Sequence, residues 1–372
     1  MESLEEFFLI KHVKNWYLRF ERPISSLSLV GGFIFDIFAL NRVDEPLENF
    51  WVGVHLCVAA LGILLLNLLE NGRMKALLRD KARSVFHFWL VMLTQFGFGG
   101  LLSTFLVFYF RSATLAASWP FLVLLAAAFI LNEALKYHYA RLTFQISMLF
   151  LSTYSFAIYI VPVIVHRVGD DVFLLSGAVT LAFIALFLAA MRLLTREHFR
   201  ENRKLIALLI VGLTALVNGL YFLNVIPPIP LSLKSGGIYH SVAHSIDGSY
   251  ALGAEASSWL DYFLPSQSIH TTPGETVYAW SAVFSPTSLN TTIVHVWQYY
   301  DDTAGKWVTE SRVPLSVTGG RGGGYRTYST RSSLTPGKWR VNVENLSGQI
   351  IGRLSFTVEQ GIVPPALHTV VE

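Results

Sequence analysis

The residues best suited to recognition chemistry lie near the C-terminus. In the segment 291–301, His295, Trp297 and Tyr299 alternate with other residues, so an extended chain turns all three to one face. Arg326 and Tyr328 share a face further on, and Arg321 stands inside a glycine-rich turn. Aromatic rings offer apolar faces to a sugar, and guanidinium forks match phosphate or carboxylate. His295, Trp297, Tyr299, Arg321 and Arg326 are therefore the candidate ligand-binding residues, for a glycan or an anionic head group. The opposing reading is packing: aromatic residues at strand spacing usually point into a core, and the arginines then cap or pair locally.

Other motifs carry less. Gly319, Gly320, Gly322, Gly323 and Gly324 surround Arg321, but neither the helix start nor the Lys-Ser/Thr pair of a phosphate cradle follows, so a hairpin turn is expected. His240 and His244 have the spacing of two zinc ligands on one helix face. No Glu lies between them, and the neighbouring Gly and Ser oppose a helix. Nucleophile elbows, H-E-x-x-H and Walker-type signatures are absent, so the sequence names no catalytic residue, no cofactor and no metal. A net charge of +3 without a basic block argues against nucleic acid. Cys57 is the single cysteine, which excludes an intrachain disulfide.

The elements that must hold these residues fall into two regions. The chain of 372 residues is 53% hydrophobic and 14% charged, against about 25% charged in soluble domains. The deficit is concentrated in 24–227, where seven apolar runs of membrane-spanning length stand at 24–40, 50–69, 86–110, 115–135, 145–165, 172–194 and 205–226. No small-residue cleavage site follows the first run, which is expected to remain as a helix. Residues 1–23 precede it; Leu4, Phe7, Phe8, Val13, Tyr17 and Phe20, with Lys11, Lys14 and Arg19 between them, suit an amphipathic helix. Such a helix lies on the membrane or packs on the protein itself. Within the runs, Asp36, His55, Asn67, Gln95, Asn132, Glu133, Gln145 and Asn218 are polar. Ionisable groups in a membrane can mark a pathway, and amides commonly join helices. Gly97, Gly99, Gly100 and Ser103, with Ala185 and Ala189, permit close helix contact.

Lys and Arg in the connections set the orientation. Lys11, Lys14, Arg19 and Arg22 precede the first run; Arg73, Lys75, Arg79, Lys81 and Arg83 fill the second loop; Lys136 and Arg141 the fourth; Arg192, Arg196, Arg200, Arg203 and Lys204 the sixth. The alternate loops hold Arg42, Arg111 and Arg167 alone. Sixteen cations against three put the N-terminus in the cytoplasm and, after seven spans, residues 228–372 outside.

Pro227, Pro228 and Pro230 end the last run. Residues 228–274 are mixed and read as a juxtamembrane stalk with some helix around 254–264. From Glu275 the texture changes to strands at 276–284, 291–301, 306–317, 325–331, 337–345 and 350–359, separated by turn signals. Trp339, Val341 and Val343, then Leu354, Phe356 and Val358, alternate with polar residues and are the expected core. The expected fold is an all-α membrane bundle of about seven helices, followed by an all-β, immunoglobulin-like sandwich over 275–360 and a tail over 361–372.

An ordered set of residues in this region resembles the bacterial family called domain of unknown function 2914. The set is His295-Val296-Trp297, Gly319-Gly320-Arg321, Tyr325-Arg326-Thr327-Tyr328-Ser329, Pro336-Gly337-Lys338-Trp339-Arg340-Val341, Gly348 and Phe356-Thr357-Val358. The resemblance covers roughly 270–360. It implies a bacterial origin and a C-terminal module after transmembrane helices; the family supplies no activity or catalytic residues. The leading expectation is a non-enzymatic, multi-pass protein of the bacterial inner membrane. Its periplasmic β domain would bind a protein partner, a glycan or a lipid head group. The alternative is a transporter or membrane-embedded enzyme with the β domain as accessory.

Overall fold

The computed structural model describes residues 31–40, 42–70, 80–112, 115–134, 141–246, 248–255, 266–287, 289–361 and 365–372. The amphipathic segment expected within 1–23 lies outside them. Among the described residues seven helices come first: α1 (31–39), α2 (Pro46–Glu70), α3 (Asp80–Ser112), α4 (Leu115–Ala134), α5 (Leu142–Val165), α6 (Asp170–Leu194) and α7 (Arg196–Phe222). Five, α2, α3, α5, α6 and α7, are long and apolar enough to cross a membrane; α4 holds a shorter apolar stretch, Ser118–Ile130.

In α2 both faces are apolar, so polarity cannot choose the packed side. Val52, Leu56, Ala59, Ile63 and Leu66 are buried, while Phe50, Trp51 and Leu61 face outward. The seam against α3 runs over glycines: a Cβ at Gly97 would sit 3.1 Å from backbone atoms of Ala59 and His55, and one at Gly62 would strike the Thr94 side chain. Close backbone approach of this kind is how apolar helices associate where no hydrophobic drive separates them from lipid. The polar groups are paired: Asn67 donates to the Gln145 amide oxygen at 2.7 Å, and Ser103 donates to the Asp36 carboxylate. Both contacts read as interhelical glue.

Helix α7 ends at Asn224, which adopts φ of 57° while Val225 N–H bonds back to the Leu220 carbonyl at 2.9 Å. Asn tolerates this left-handed cap, and the prolines that follow cannot continue a helix. Among the described residues eleven strands succeed it: β1 (Ser232–Tyr239), β2 (Ser241–His244), β3 (Tyr250–Glu255), β4 (Gln267–Thr271), β5 (Thr276–Phe284), β6 (Thr291–Asp301), β7 (Lys306–Val317), β8 (Tyr325–Ser332), β9 (Gly337–Asn345), β10 (Ile350–Gln360) and β11 (Leu367–Val371). They form three sheets ordered β1-β5-β8, β4-β10-β9-β6-β7 and β11-β3-β2. All pairings are antiparallel except β4 with β10.

The first two sheets share one core. Ile238, Val277 and Ala279 come from the three-stranded sheet, and Trp297, Trp339, Val341, Leu354, Phe356 and Val358 from the five-stranded one. The third sheet covers the opposite face of β5, where Leu252 packs on Trp280 and Ala282. Strand β5 is therefore buried on both faces, which explains its nearly unbroken apolar run. A second cluster gathers Leu231, Val283, Ile293, Val317, Val343 and Ile351 at one end of the domain, with Val168 from the α5–α6 connection packed against it. At that end the Tyr221 hydroxyl of α7 donates to Asp170 at 3.0 Å and neighbours Gln349.

Two expectations change. The segment 228–274, read as a stalk, holds β1 to β4, and the tail over 361–372 holds β11, paired with β3. The helix expected around 254–264 has its first two residues at the end of β3; the rest lies outside the described residues. A Cβ at Gly236 would meet the Trp280 carbonyl and Leu354 at 3.1 Å, so glycine marks close sheet approach there, not a loop.

Candidate functional site

His295, Trp297 and Tyr299 do share a face of β6, as period two requires, but it is the inner face. His295 and Trp297 are fully buried, and Tyr299 packs against the core with its ring 5.7 Å from Trp339. The His295 ring lies between two hydroxyls, Ser281 Oγ at Nε2 and Ser329 Oγ at Nδ1, each at 2.9 Å, and Trp297 Nε1 donates to the same Ser329 at 2.9 Å. Burial pushes the His295 pKa down to about 4, so this imidazole is neutral. The Ser–His–Ser chain has no carboxylate and no opening to solvent, and it works as satisfied core polarity.

The arginines stand elsewhere. Arg321, exposed in the β7–β8 turn, lies 5.8 Å from the Tyr325 ring, and Arg326 of β8 reaches the Gly248 carbonyl at 3.4 Å. The five expected site residues therefore do not converge. The period was legible, but which face a partner sheet covers was not. The glycine run is a tight turn: Gly320 and Gly324 have φ of 100° and 90°, and a Cβ at Gly319 would collide with the Pro286 carbonyl.

The outer face of the five-stranded sheet holds a different constellation. Tyr300 and Trp307 face each other across β6 and β7 at 5.3 Å, edge to face. Arg340 of β9 stacks over Trp307 at 4.1 Å and donates from Nε to Gln298 at 2.7 Å. Lys338 lies 5.8 Å from the Tyr300 ring. Arg353 of β10 donates to Asn342 at 2.8 Å. One carboxylate serves this group: Glu344, which accepts from Arg312 at 3.3 Å and from Asn342 at 3.2 Å. Burial, and then repulsion from Arg353, lowers the Arg340 pKa to about 10; burial also lowers that of Arg353. Among the described residues neither guanidinium has an ion pair of its own. Two half-buried cations beside two partly exposed rings suit an anionic ligand with apolar faces. Lys338 and Arg340 flank Trp339 in the sequence, so the signal is present there: they are the polar positions of a strand whose apolar positions mark the core.

A third group joins the sheets. His240 has Glu255 at Nε2, 2.8 Å away, and Glu275 at Nδ1; His270 Nδ1 meets Glu255 at 2.7 Å. His244, expected to share a helix face with His240, instead lies on β2 with its ring 4.9 Å from Tyr250. No group of three or more His, Cys, Asp or Glu among the described residues is arranged to hold a metal ion.

A family model described as protein of unknown function (DUF2914) matches residues 290–358, the stretch from β6 into β10. The resemblance read from the motifs thus holds in the C-terminal part of the chain. No curated protein matches. Among solved structures, a β-glucosidase from Listeria innocua is 14% identical over 27% of this chain and 16% of its own, with a TM-score of 0.19. Its complex with isofagomine gives 16% identity, 31% and 17% coverage and the same score. The chain thus spans about a sixth of the length of these enzymes. An alkylpurine DNA glycosylase from Pseudomonas fluorescens, bound to DNA containing an abasic site analog, is 11% identical over 85% of this chain and 99% of that one, at 0.22. Scores this low carry no statement about fold or activity.

Proposed function

We propose that this chain is a multi-pass protein of the bacterial inner membrane that presents its β domain to the periplasm, where the outer face of the five-stranded sheet binds an anionic glycan. The observation that carries this reading is the pair Arg340 and Arg353, half-buried and sharing Glu344, next to Trp307 and Tyr300. A carboxylate or phosphate on a sugar completes their charge, and the sugar ring meets the aromatic edges. These residues stand toward the end of the domain opposite Val168 and Leu231, which favours a periplasmic glycan over the head groups of the protein's own bilayer.

Seven spans with a cytoplasmic N-terminus are supported by the cation alternation. The sparsely charged connections with Arg111 and Arg167 belong to the compact unit that contains the β domain, whereas Arg42 falls in the other unit. An immunoglobulin-like sandwich is supported by the order β4-β10-β9-β6-β7 against β1-β5-β8, with Trp297 buried on the strand where that fold keeps a tryptophan. The domain is read as a non-enzymatic binding module.

The test is calorimetry on the full-length protein in detergent, titrated with a uronic-acid oligosaccharide and, separately, with a neutral oligosaccharide of equal length. Binding of the acidic probe alone is expected. R340Q and R353Q should each weaken it by about tenfold or more, the size of one charge-assisted contact. Equal binding of both probes, or none, overturns the glycan reading; native mass spectrometry of the extracted protein then shows whether a protein or a lipid takes its place.

A further inference from the structure

The end of the β domain that meets the helices carries exposed aliphatic side chains with no role in any core. Ile246, at the tip between β2 and β3, is fully exposed at 108% relative accessibility, and Leu346, in the β9–β10 turn, at 71%. Strand register puts both at the same end. Strand β1 starts at Ser232, just beyond α7, and pairs there with Phe284; β2 returns toward that end, and Arg326, opposite Ala282, reaches Gly248 behind the Ile246 tip. Leu346 is three residues from Gln349, which neighbours Tyr221 of α7. Cations accompany them. Arg321 is exposed in the β7–β8 turn at this end, and neither it nor Arg326 is ion-paired among the described residues. Among the described residues, the carboxylates at the start of α6 are engaged, Asp170 by Tyr221 and Asp171 by Arg167 at 2.7 Å.

Bare aliphatic tips next to arginines, level with the ends of apolar helices, have the composition of an interfacial membrane contact: short apolar groups enter below the phosphates and guanidiniums meet them. We propose that this end of the β domain is seated in the head-group layer of the bilayer, with Ile246 and Leu346 as the inserted groups and Arg321 and Arg326 on the lipid phosphates. The proposal rests on the helices spanning the membrane and is independent of the glycan face, which uses none of these residues.

The test uses full-length protein with Cys57→Ser in lipid nanodiscs. A nitroxide is placed at Ile246→Cys, at Leu346→Cys, or at Lys338→Cys as a control on the far part of the domain. The tips are exposed, so these changes should leave the melting temperature within the small range of surface substitutions. Water-soluble nickel chelate should relax the labels at 246 and 346 several-fold less than at 338, and oxygen more. The difference should shrink when Arg321→Gln and Arg326→Gln are added, and more so in discs containing phosphatidylglycerol than in discs of phosphatidylcholine alone. Nickel access at 246 and 346 equal to that at 338 in both lipids overturns the proposal, whatever the glycan titration shows.

Discussion

His295 is a histidine that the folded domain holds neutral. Unfolded, it takes up a proton as pH falls below 6.5; folded, burial defers that to about 4. In that window the unfolded state binds more protons, so stability falls with pH, by roughly 3 kcal/mol in total. His270 acts on the other side. The hydrogen bond to Glu255 raises its pKa above 6.5 against the opposing effect of burial, so its contribution is complete below 6.5 and is lost as pH rises through the raised value. Burial alone would raise the Glu275 pKa, but hydrogen bonds from Thr272 and His240 hold it below 4.5; its contribution is present above 4.5 and is lost further into acid. Thermal melts of the detergent-solubilised protein from about pH 4 to about pH 9 should peak near neutrality. H295Q should flatten the acid limb and H270Q the alkaline limb. An acid limb unchanged by H295Q would remove His295 from this account.

At the scale of elements, the strands read most easily are those whose apolar and polar residues alternate. Strands β9 and β10 alternate cleanly, and their expected core residues Trp339, Val341, Val343, Leu354, Phe356 and Val358 are all buried. Phe356 is fully buried and meets Trp297 edge to face at 6.2 Å. Phe356→Ala should cost about 3–5 kcal/mol, against less than about 0.5 kcal/mol for Leu346→Ala in the exposed turn. Denaturant titration of the β signal in the full-length protein checks both, and equal costs would mean that the shared core is misjudged. Strand β1 was unreadable for the opposite reason. Its Gly236 and Gly237 look like breakers, and its neighbours Trp280 and Leu354, which explain Gly236, are 44 and 118 residues away in the chain.

For the whole molecule, the proposed orientation rests on the alternation of cations between connections. With seven spans, alkaline phosphatase fused after Glu372 should be active in a bacterial host and green fluorescent protein fused there should be dark. The reverse pattern would mean that one helix fails to cross; α1, described over 31–39 and carrying Asp36, is the first suspect. The two compact units into which the chain divides do not coincide with the helical and β regions, because residues 109–121 and 157–178 group with the β strands. An isolated β domain would therefore lack Val168 and Tyr221, so measurements belong on the full chain.

Local chemistry made much of this legible from the sequence alone. Apolar length marks the helices, cation counts suggest their orientation, and period two marks β6, β9 and β10 and the residues that share each face. Sequence also supplied the family resemblance over β6 to β10. Tertiary structure decided whatever depends on a partner distant in the chain. Which face of β6 is inside depends on the sheet of β1, β5 and β8 that covers it, so His295 and Trp297 became core and Arg340, Arg353 and Trp307 became surface. Whether 228–274 is stalk or sheet depends on β5 being present to pair with β1 and on β10 being present to pair with β4. Period and composition are properties of neighbours in sequence; burial is a property of neighbours in space, and here those come from up to a hundred or more residues away.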